Sequence, residues 1–179
     1  MSKVILAEMF ARGAHAGQKH GDRPYFTHLR AVVNVLKNNG YDGRSLHCGG
    51  WLHDTIEDTP VTYQDIRRLF GEGVAELVWA VTDELGRNRK ERKEKTWSKI
   101  AASHSATILK LADTKANIDA AIVSRGKILQ MYLDEWPEIR AAFSDALAYH
   151  NEGQGRLILD HISDALMDCT SAKDEKEKL

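Results

Sequence analysis

Apolar residues recur with the spacing of an α-helix along almost the whole chain, and this pattern most restricts the folds open to it. One clear stripe with the spacing i, i+3, i+4, i+7 consists of Leu29, Val32, Val33 and Leu36. No segment shows the strict alternation of polar and apolar residues that is typical of a half-buried strand. The sequence therefore predicts an all-α fold, a single helical bundle of about eight to ten helices.

The length of the chain sets the number of domains. It has 179 residues, of which 42% are hydrophobic and 28% charged, as in ordinary globular proteins with a buried core. We expect one domain over residues 1–170. The remaining segment, 171–179, is dense in charge, and we expect it to be a disordered tail.

Charge and composition exclude several classes of function. The formal net charge is −1, so no overall basic field favours nucleic-acid binding. Neither a signal peptide nor an apolar run of about 18 residues is present. Cys48 and Cys169 are far apart and form no metal-binding pair, which favours a reducing compartment. We expect a cytoplasmic protein that binds neither nucleic acid nor membrane; its oligomeric state stays open.

The segment from Trp51 to Asp58 begins with apolar residues and ends with four ionisable side chains. His53 and Asp54 are adjacent, and Glu57 and Asp58 follow one helical turn later. Buried carboxylates without partners are costly, so this cluster must be solvated, paired or bound to a metal. Imidazole and carboxylate together suit Mn, Fe or Zn. By itself, however, a His-Asp pair is more typical of the cap or end of a surface helix than of a metal site.

Two further residues can complete a metal site with this His-Asp pair. His28 lies at the start of the second predicted helix, and Asp113 follows an apolar run in the middle of a later one. Aspartate is unfavourable inside a helix, and a buried one needs a cation or hydrogen-bond donors. The structural alternatives are a partly buried histidine at position 28 and an acid paired with Lys110 or Asn117 at position 113.

These motifs together resemble the HD phosphohydrolase superfamily, and more narrowly the stand-alone form of the ppGpp hydrolase module of RelA/SpoT proteins. The matching phrases are HAGQ at 15–18, PYFTH at 24–28, LHDTIEDT at 52–59, VTD at 81–83 with ERK at 91–93, and KLAD at 110–113 with Asn117. Each phrase is weak or moderate alone. Their order and spacing, from about residue 4 to about residue 145, make the joint match specific.

The resemblance implies an all-helical HD domain that hydrolyses guanosine nucleotides carrying a 3′-diphosphate, with release of pyrophosphate and GDP or GTP. It implies one Mn²⁺ held by four ligands: His28, His53, Asp54 and Asp113. In the same way Glu57 and Asp58 would position the attacking water and handle its proton. Asn117 would hydrogen-bond the sugar or a phosphate of the nucleotide.

The phosphate groups of a nucleotide also need positively charged side chains at a distance from the metal. Lys19 is the first candidate for this role, followed by Arg12 and Lys127. Tyr132 is a candidate for lining the base or ribose pocket, although an aromatic residue on a helical stripe is more often a core residue. The charged segment 84–99 is either a solvated surface or a cationic wall beside an anionic ligand.

Several departures from the family motifs fall near the expected substrate site and leave the candidate metal ligands untouched. Leu29 follows His28, at a position where the family usually has proline. Thr114 follows Asp113, at a position where the family usually has a basic residue. The pair Lys19-His20 stands where Arg-Lys is usual. The nucleotide therefore stays open: an adenosine alarmone, a dNTP and NADPH are alternative substrates. A different class of function also stays open, that of a non-catalytic protein that senses a nucleotide.

Overall fold

The computed structural model describes residues 2–151 and 153–177, and at positions 89, 90 and 171–177 it describes the backbone alone. Helices joined by short loops make up most of the described chain. The elements in chain order are α1 (Lys3–Ala14), β1 (Lys19–His20), β2 (Arg23–Pro24), α2 (Phe26–Asn38), α3 (Arg44–Leu52), α4 (Thr55–Asp58), α5 (Tyr63–Phe70), α6 (Glu72–Val81), α7 (Arg89–Ala101), α8 (His104–Ser124), α9 (Lys127–Tyr149) and α10 (Gln154–Glu177).

The prediction of an all-α fold is confirmed. In the described chain the strands form a single antiparallel hairpin, in which Lys19 lies opposite Pro24 and His20 opposite Arg23. This hairpin lies in segment 17–24, whose glycine, aspartate and basic residues predict a polar loop. Gly17 and Gly21 have φ angles of 81° and 60°, and these left-handed turns let the chain fold back on itself.

Buried apolar side chains of the described residues form two clusters. The larger one surrounds α8, whose Ile108, Leu111 and Ile118 are fully buried. The smaller one joins α1, α2, α3, α5 and α6 and includes Leu52 and Phe70. Helices α2 and α6 contribute to both clusters and so join them into one packed body. This packing fixes the relative positions of the first turn of α2, the end of α3 and the middle of α8.

Two helix boundaries differ from the sequence-based expectation. Proline is common in the first turn of a helix, so the sequence predicts a helix that begins at Pro137. In the structure, however, α9 runs unbroken from Lys127 to Tyr149 with this proline inside it. Trp136 and Phe143 are buried on either side of the proline, so packing offsets the lost backbone hydrogen bond. The segment from Trp51 to Asp58, whose spacing predicts one continuous helix, is also divided: α3 ends at Leu52 and the four-residue α4 follows.

The last helix, α10, continues to Glu177, into the segment 171–179 that the sequence indicates as a tail. Lys178 and Leu179 lie outside the described residues, and the domain boundary at residue 170 stays a prediction. Although α10 has 24 residues, neither it nor any other described helix is long and apolar enough to cross a membrane.

Candidate active site

Four side chains from three parts of the chain meet at one point. His28 comes from the first turn of α2, His53 and Asp54 from the junction of α3 and α4, and Asp113 from the middle of α8. The Nε2 atoms of the two histidines are 3.3 Å apart. His28 Nε2 lies 3.2 Å from Asp113 Oδ1, and His53 Nε2 lies 3.0 Å from Asp54 Oδ2. The structure thus brings together all four side chains proposed from the sequence as metal ligands.

The orientation of His53 is fixed by a backbone contact. Its Nδ1 lies 3.0 Å from the carbonyl oxygen of Gly50, which can only accept, so Nδ1 carries the proton and the Nε2 lone pair faces the cluster. Burial lowers the pKa of His53, but the charges of Asp54 and Asp113 outweigh it and raise the pKa to about 10. Such an imidazole, facing a second ring nitrogen and two carboxylates, attracts a cation, either a proton or a metal ion.

The donor set fits a divalent transition metal. His28, His53 and Asp113 are buried and offer ligand atoms that all lie within 4.8 Å of one another. Asp54, with 20% of its side chain exposed, completes the group on its open side. Nitrogen and oxygen donors in this ratio suit Mn, Fe, Co or Zn.

Asp113 is supported by two residues of its own helix. Lys110 Nζ lies 3.0 Å from Asp113 Oδ2, and Asn117 Nδ2 donates to Asp113 Oδ1 at 2.8 Å. Both structural partners considered from the sequence are therefore engaged at the same time as the two histidines. Burial raises the pKa of Asp113, but the Lys110 charge and the histidine contacts outweigh it and hold the pKa well below its usual range.

Glu57 and Asp58 lie beside this cluster at its exposed edge. Glu57 Oε2 accepts from the backbone N–H of Asp83 at 3.2 Å, and Asp58 Oδ2 accepts from the Tyr25 hydroxyl at 2.7 Å. Shielding by the surrounding protein raises the pKa of Glu57, although the backbone contact opposes it; the charges of Asp83 and Asp54 raise it further. A carboxylate with a raised pKa is a stronger base than an ordinary glutamate and is better suited to accept a proton.

A cavity of about 820 Å³ opens next to the cluster between α7, α8 and α9. Asp113 and Asn117 line it on α8, and Tyr132 lines it on α9. The Asn117 and Tyr132 positions therefore agree with a role in ligand binding, although Tyr132 also packs against the larger hydrophobic cluster. The volume is in the range of small-molecule pockets.

Three other candidates do not line this cavity. Lys19 is exposed on β1. Arg12 pairs with Glu8 at 2.8 Å, and its guanidinium stacks 4.1 Å from the centre of the Phe26 ring. Lys127 is exposed at the start of α9. Of the three, Lys19 is the one whose neighbour in the sequence contacts the site: His20 lies 3.1 Å from Asn117.

The cationic wall is largely neutralised by acids among the described side chains. The pairs are Arg87 with Glu91, Lys95 with Glu91, Lys99 with Glu84 and Lys93 with Glu135. Lys93 also lines the cavity, at its α7 side. The side chain of Lys90 lies outside the described ones.

Sequence reasoning assigned no role to Tyr25 and His20, and it considered Lys110 only as a structural partner of Asp113. The Tyr25 hydroxyl lies 2.8 Å from Asp54 Oδ2 and 2.7 Å from Asp58 Oδ2 and can donate its proton to either one. His20 stacks on His28 with 4.5 Å between ring centres, and Lys110 supports Asp113. Tyr25 and Lys110 both lie inside phrases that carry the family resemblance, which was the available signal. His20 stands at a departure from those phrases, so no pattern pointed to it.

The comparisons with known proteins agree with this geometry. Residues 7–124, more than half of the chain, match the family described as HD domain. The chain is 41% identical over 126 residues to the bifunctional (p)ppGpp synthase/hydrolase SpoT of Escherichia coli K12, a match that covers 66% of this chain and 18% of that protein. It is 33% identical over 124 residues to the guanosine-3′,5′-bis(diphosphate) 3′-pyrophosphohydrolase MESH1 of Danio rerio, covering 65% of this chain and 69% of that protein.

Solved structures show the same fold. One, described as a metazoan ortholog of SpoT that hydrolyzes ppGpp, has a TM-score of 0.75 at 24% identity and covers 90% of this chain and 94% of its own. Another, from Listeria monocytogenes EGD-e, has a TM-score of 0.61 at 25% identity, covering 80% and 93%. Helical fold and buried histidine–aspartate group together define an HD-type domain. The chain belongs to the HD domain family, and within it to the group that includes its SpoT and MESH1 relatives.

Proposed function

We propose that this protein is a Mn²⁺-dependent hydrolase that removes the 3′-diphosphate of guanosine alarmones, converting (p)ppGpp to GDP or GTP and pyrophosphate. The observation that carries the proposal is the meeting of His28, His53, Asp54 and Asp113 beside a nucleotide-sized cavity. The names of the SpoT and MESH1 relatives supply the substrate class. The chain spans only 18% of the SpoT sequence, so the synthase activity in that name is not carried over.

In this proposal His28, His53, Asp54 and Asp113 would hold the metal. A bound divalent ion supplies Lewis acidity, which activates water and neutralises phosphate charge. Glu57 orients the water and accepts its proton, since its raised pKa makes it a stronger base than an ordinary glutamate. Asp58, on the same short helix, assists the proton transfer.

In this proposal the nucleotide lies in the cavity with its 3′-diphosphate towards the cluster. Lys110, whose pKa is raised mainly by Asp113, is the lysine nearest to the cluster and is suited to a phosphate oxygen. Asn117 and Tyr132 line the cavity where the sugar and base would lie. The exposed cations Lys19, Arg12 and Lys127 would act on the more distant phosphates as the nucleotide approaches.

The choice of Mn²⁺ rests on the family resemblance together with the mixed imidazole and carboxylate donors, which also admit Fe²⁺, Co²⁺ or Zn²⁺. A cytoplasmic location accords with two free cysteines, Cys48 and Cys169. A nucleotide substrate requires no nucleic-acid partner. We assign the hydrolase domain to residues 1–170.

A second candidate substrate is another nucleotide, such as an adenosine alarmone, a dNTP or NADPH. The observation that favours it is Thr114, which lines the cavity next to Asp113 in place of the basic residue of the family motif. A pocket that lacks this cation has less attraction for a highly charged nucleotide.

The test is product analysis by anion-exchange chromatography after incubation of the purified protein with ppGpp and Mn²⁺. We expect GDP and pyrophosphate, and no turnover after addition of EDTA. Turnover of a dNTP, NADPH or an adenosine alarmone in place of ppGpp would keep the site and change the substrate. Binding of ppGpp without turnover of any of these nucleotides would favour the sensor.

A further inference from the structure

We propose that His15, Gln18 and Tyr25 form a bracket that positions the carboxylate of Asp58 against Asp54. The inference rests on the proposed function, in which Asp58 takes part in proton transfer. The bracket gives a role to the HAGQ phrase at 15–18, none of whose residues belongs to the ligand set. It makes the three bracket residues positioning residues that act through Asp58.

The first contact of the bracket is the cap that Gln18 provides for α4. Helix α4 ends at Asp58, and Thr59 leaves the helix with φ −139°. The last carbonyl groups of a helix have no partner within it. Gln18 Nε2 donates to the carbonyl oxygen of Asp58 at 2.8 Å. This bond holds the backbone of the residue whose side chain stands beside the cluster.

The second contact is the hydroxyl of Tyr25. It lies 2.7 Å from Asp58 Oδ2 and 2.8 Å from Asp54 Oδ2. The hydroxyl has a single proton, which it can donate to either oxygen, so the two carboxylates share one donor and are kept close to each other. Asp54 belongs to the candidate metal ligands, whereas Asp58 does not. Tyr25 therefore connects the ligand set with the residue proposed for proton transfer.

His15 orients both partners of Asp58. Its Nδ1 lies 2.7 Å from Gln18 Oε1, an oxygen that only accepts, so Nδ1 donates and the amide nitrogen of Gln18 turns towards Asp58. The His15 ring stacks on Tyr25 with 4.4 Å between ring centres and an interplanar angle of 2°. Backbone bonds of 3.0 Å from Gln18 N to His15 O and from Tyr25 N to Gln18 O complete the bracket.

The other ring nitrogen of His15 argues that the imidazole is present for its donor. Nε2 is buried and has no hydrogen-bond partner among the described residues. A buried polar atom without a partner costs stability, and a phenylalanine would stack on Tyr25 without that cost. Histidine at this position is explained if the bond from Nδ1 to Gln18 contributes something that packing alone does not.

The kinetic test compares Tyr25→Phe and Gln18→Leu with the wild-type protein at saturating Mn²⁺. Tyr25→Phe keeps the ring stack and removes the hydroxyl. We expect kcat for ppGpp to fall by about 10–100-fold, as for other residues that orient a site, with KM and Mn²⁺ affinity close to wild type. Tyr63→Phe is the matched control, because the Tyr63 hydroxyl donates to Glu76, outside the site; its kcat should not change.

A double-mutant cycle separates the bracket from a general structural role. If Tyr25 acts through Asp58, Tyr25→Phe should cause no further loss of kcat in an Asp58→Asn background. Independent, multiplicative losses would overturn the proposal. So would loss of Mn²⁺ affinity in Tyr25→Phe with an unchanged kcat, because the hydroxyl would then act on Asp54.

A measurement without substrate distinguishes failure of the bracket from failure of the proposed function. In hydrogen–deuterium exchange, Gln18→Leu should increase exchange at the backbone amides of residues 55–58, since the α4 cap is lost. Unchanged exchange would overturn the bracket even in an active enzyme. A wild-type protein without ppGpp turnover would contradict the substrate proposal, whereas increased exchange in Gln18→Leu would still support the bracket.

Discussion

The carboxylate of Glu57 stands in surroundings that oppose its charge. The protein around it partly shields it from water, and Asp83 and Asp54 add negative charge, so its pKa is raised despite the hydrogen bond from the Asp83 backbone. The folded state therefore binds a proton at this site more readily than the unfolded chain does. Its contribution to stability is complete at low pH and is lost as the pH rises through the raised pKa.

The substitution Glu57→Gln should separate stability from activity. The amide can still accept from the Asp83 backbone but carries no charge. In EDTA at pH 7 we expect a slightly higher melting temperature than that of wild type, with a gain in the free energy of unfolding of at most roughly 0.5 kcal/mol, as for surface substitutions. At pH 4 we expect no difference. With Mn²⁺, kcat should fall by about 10²–10⁴-fold, as for a lost proton-transfer group.

The control for Glu57→Gln is Glu72→Gln, because the Glu72 side chain is 66% exposed and pairs with Arg67 rather than with the site. Its kcat should equal that of wild type. An unchanged kcat in Glu57→Gln would remove Glu57 from the mechanism. Equal melting temperatures of Glu57→Gln and wild type at pH 7 would mean that the carboxylate is fully hydrated in the fold.

At the level of elements, the close packing of α3 determines where His53 lies. A Cβ atom at Gly50 would lie 2.8 Å from Val33 Cγ2 on α2, and one at Gly49 would lie 2.8 Å from Leu77 Cδ2 on α6. The two glycines thus let α3 approach both neighbours. The Gly50 carbonyl also accepts from His53 Nδ1, so the contact between helices and the orientation of a candidate ligand depend on the same residue.

Gly50→Ala should therefore affect both stability and metal binding. Alanine favours the helix by about 1 kcal/mol, but overpacking against the stiff Val33 costs about 1–3 kcal/mol, and we expect net destabilisation with weaker Mn²⁺ affinity. Gly73→Ala in α6 is the matched control, because a Cβ there meets nothing within 4 Å; it should be neutral or stabilising. Val33→Ala added to Gly50→Ala should restore part of both properties. Equal stability of Gly50→Ala and wild type in denaturant melts would contradict the packing argument.

The same elements show which features of the fold the sequence could predict. Helical stripes such as that of α2 depend on local spacing, and they predicted the fold class. The unbroken α9 could not be predicted, because burial of Trp136 and Phe143 outweighs the local signal of Pro137. The end of α4 depends on a long-range contact in the same way, the bond from Gln18 to the Asp58 carbonyl.

At the level of the whole molecule, the candidate ligands could be named from the sequence because the family resemblance fixes their order along the chain. Their mutual distances could not, since Asp113 and His28 are brought together by the packing of α8 against α2. Among the predicted substrate contacts, Asn117 and Tyr132 line the cavity, whereas Lys19, Arg12 and Lys127, which are candidates by charge, do not. The charge of a side chain indicates the type of ligand that it can bind. Whether the side chain points into the cavity depends on packing, which a single sequence does not reveal.

Because the candidate ligands come from α2, the α3–α4 junction and α8, a bound metal should stabilise the whole domain. A ligand at 100 times its dissociation constant adds about 2.7 kcal/mol, which at about 2–4 °C per kcal/mol for this chain length corresponds to a rise of about 5–10 °C in melting temperature. We expect Mn²⁺ to produce this rise in thermal melts of EDTA-treated protein. Asp54→Ala should remove most of it, whereas Asp160→Ala, which affects only the exposed pair with Arg140, should keep it. An equal rise in wild type and Asp54→Ala would place the metal elsewhere.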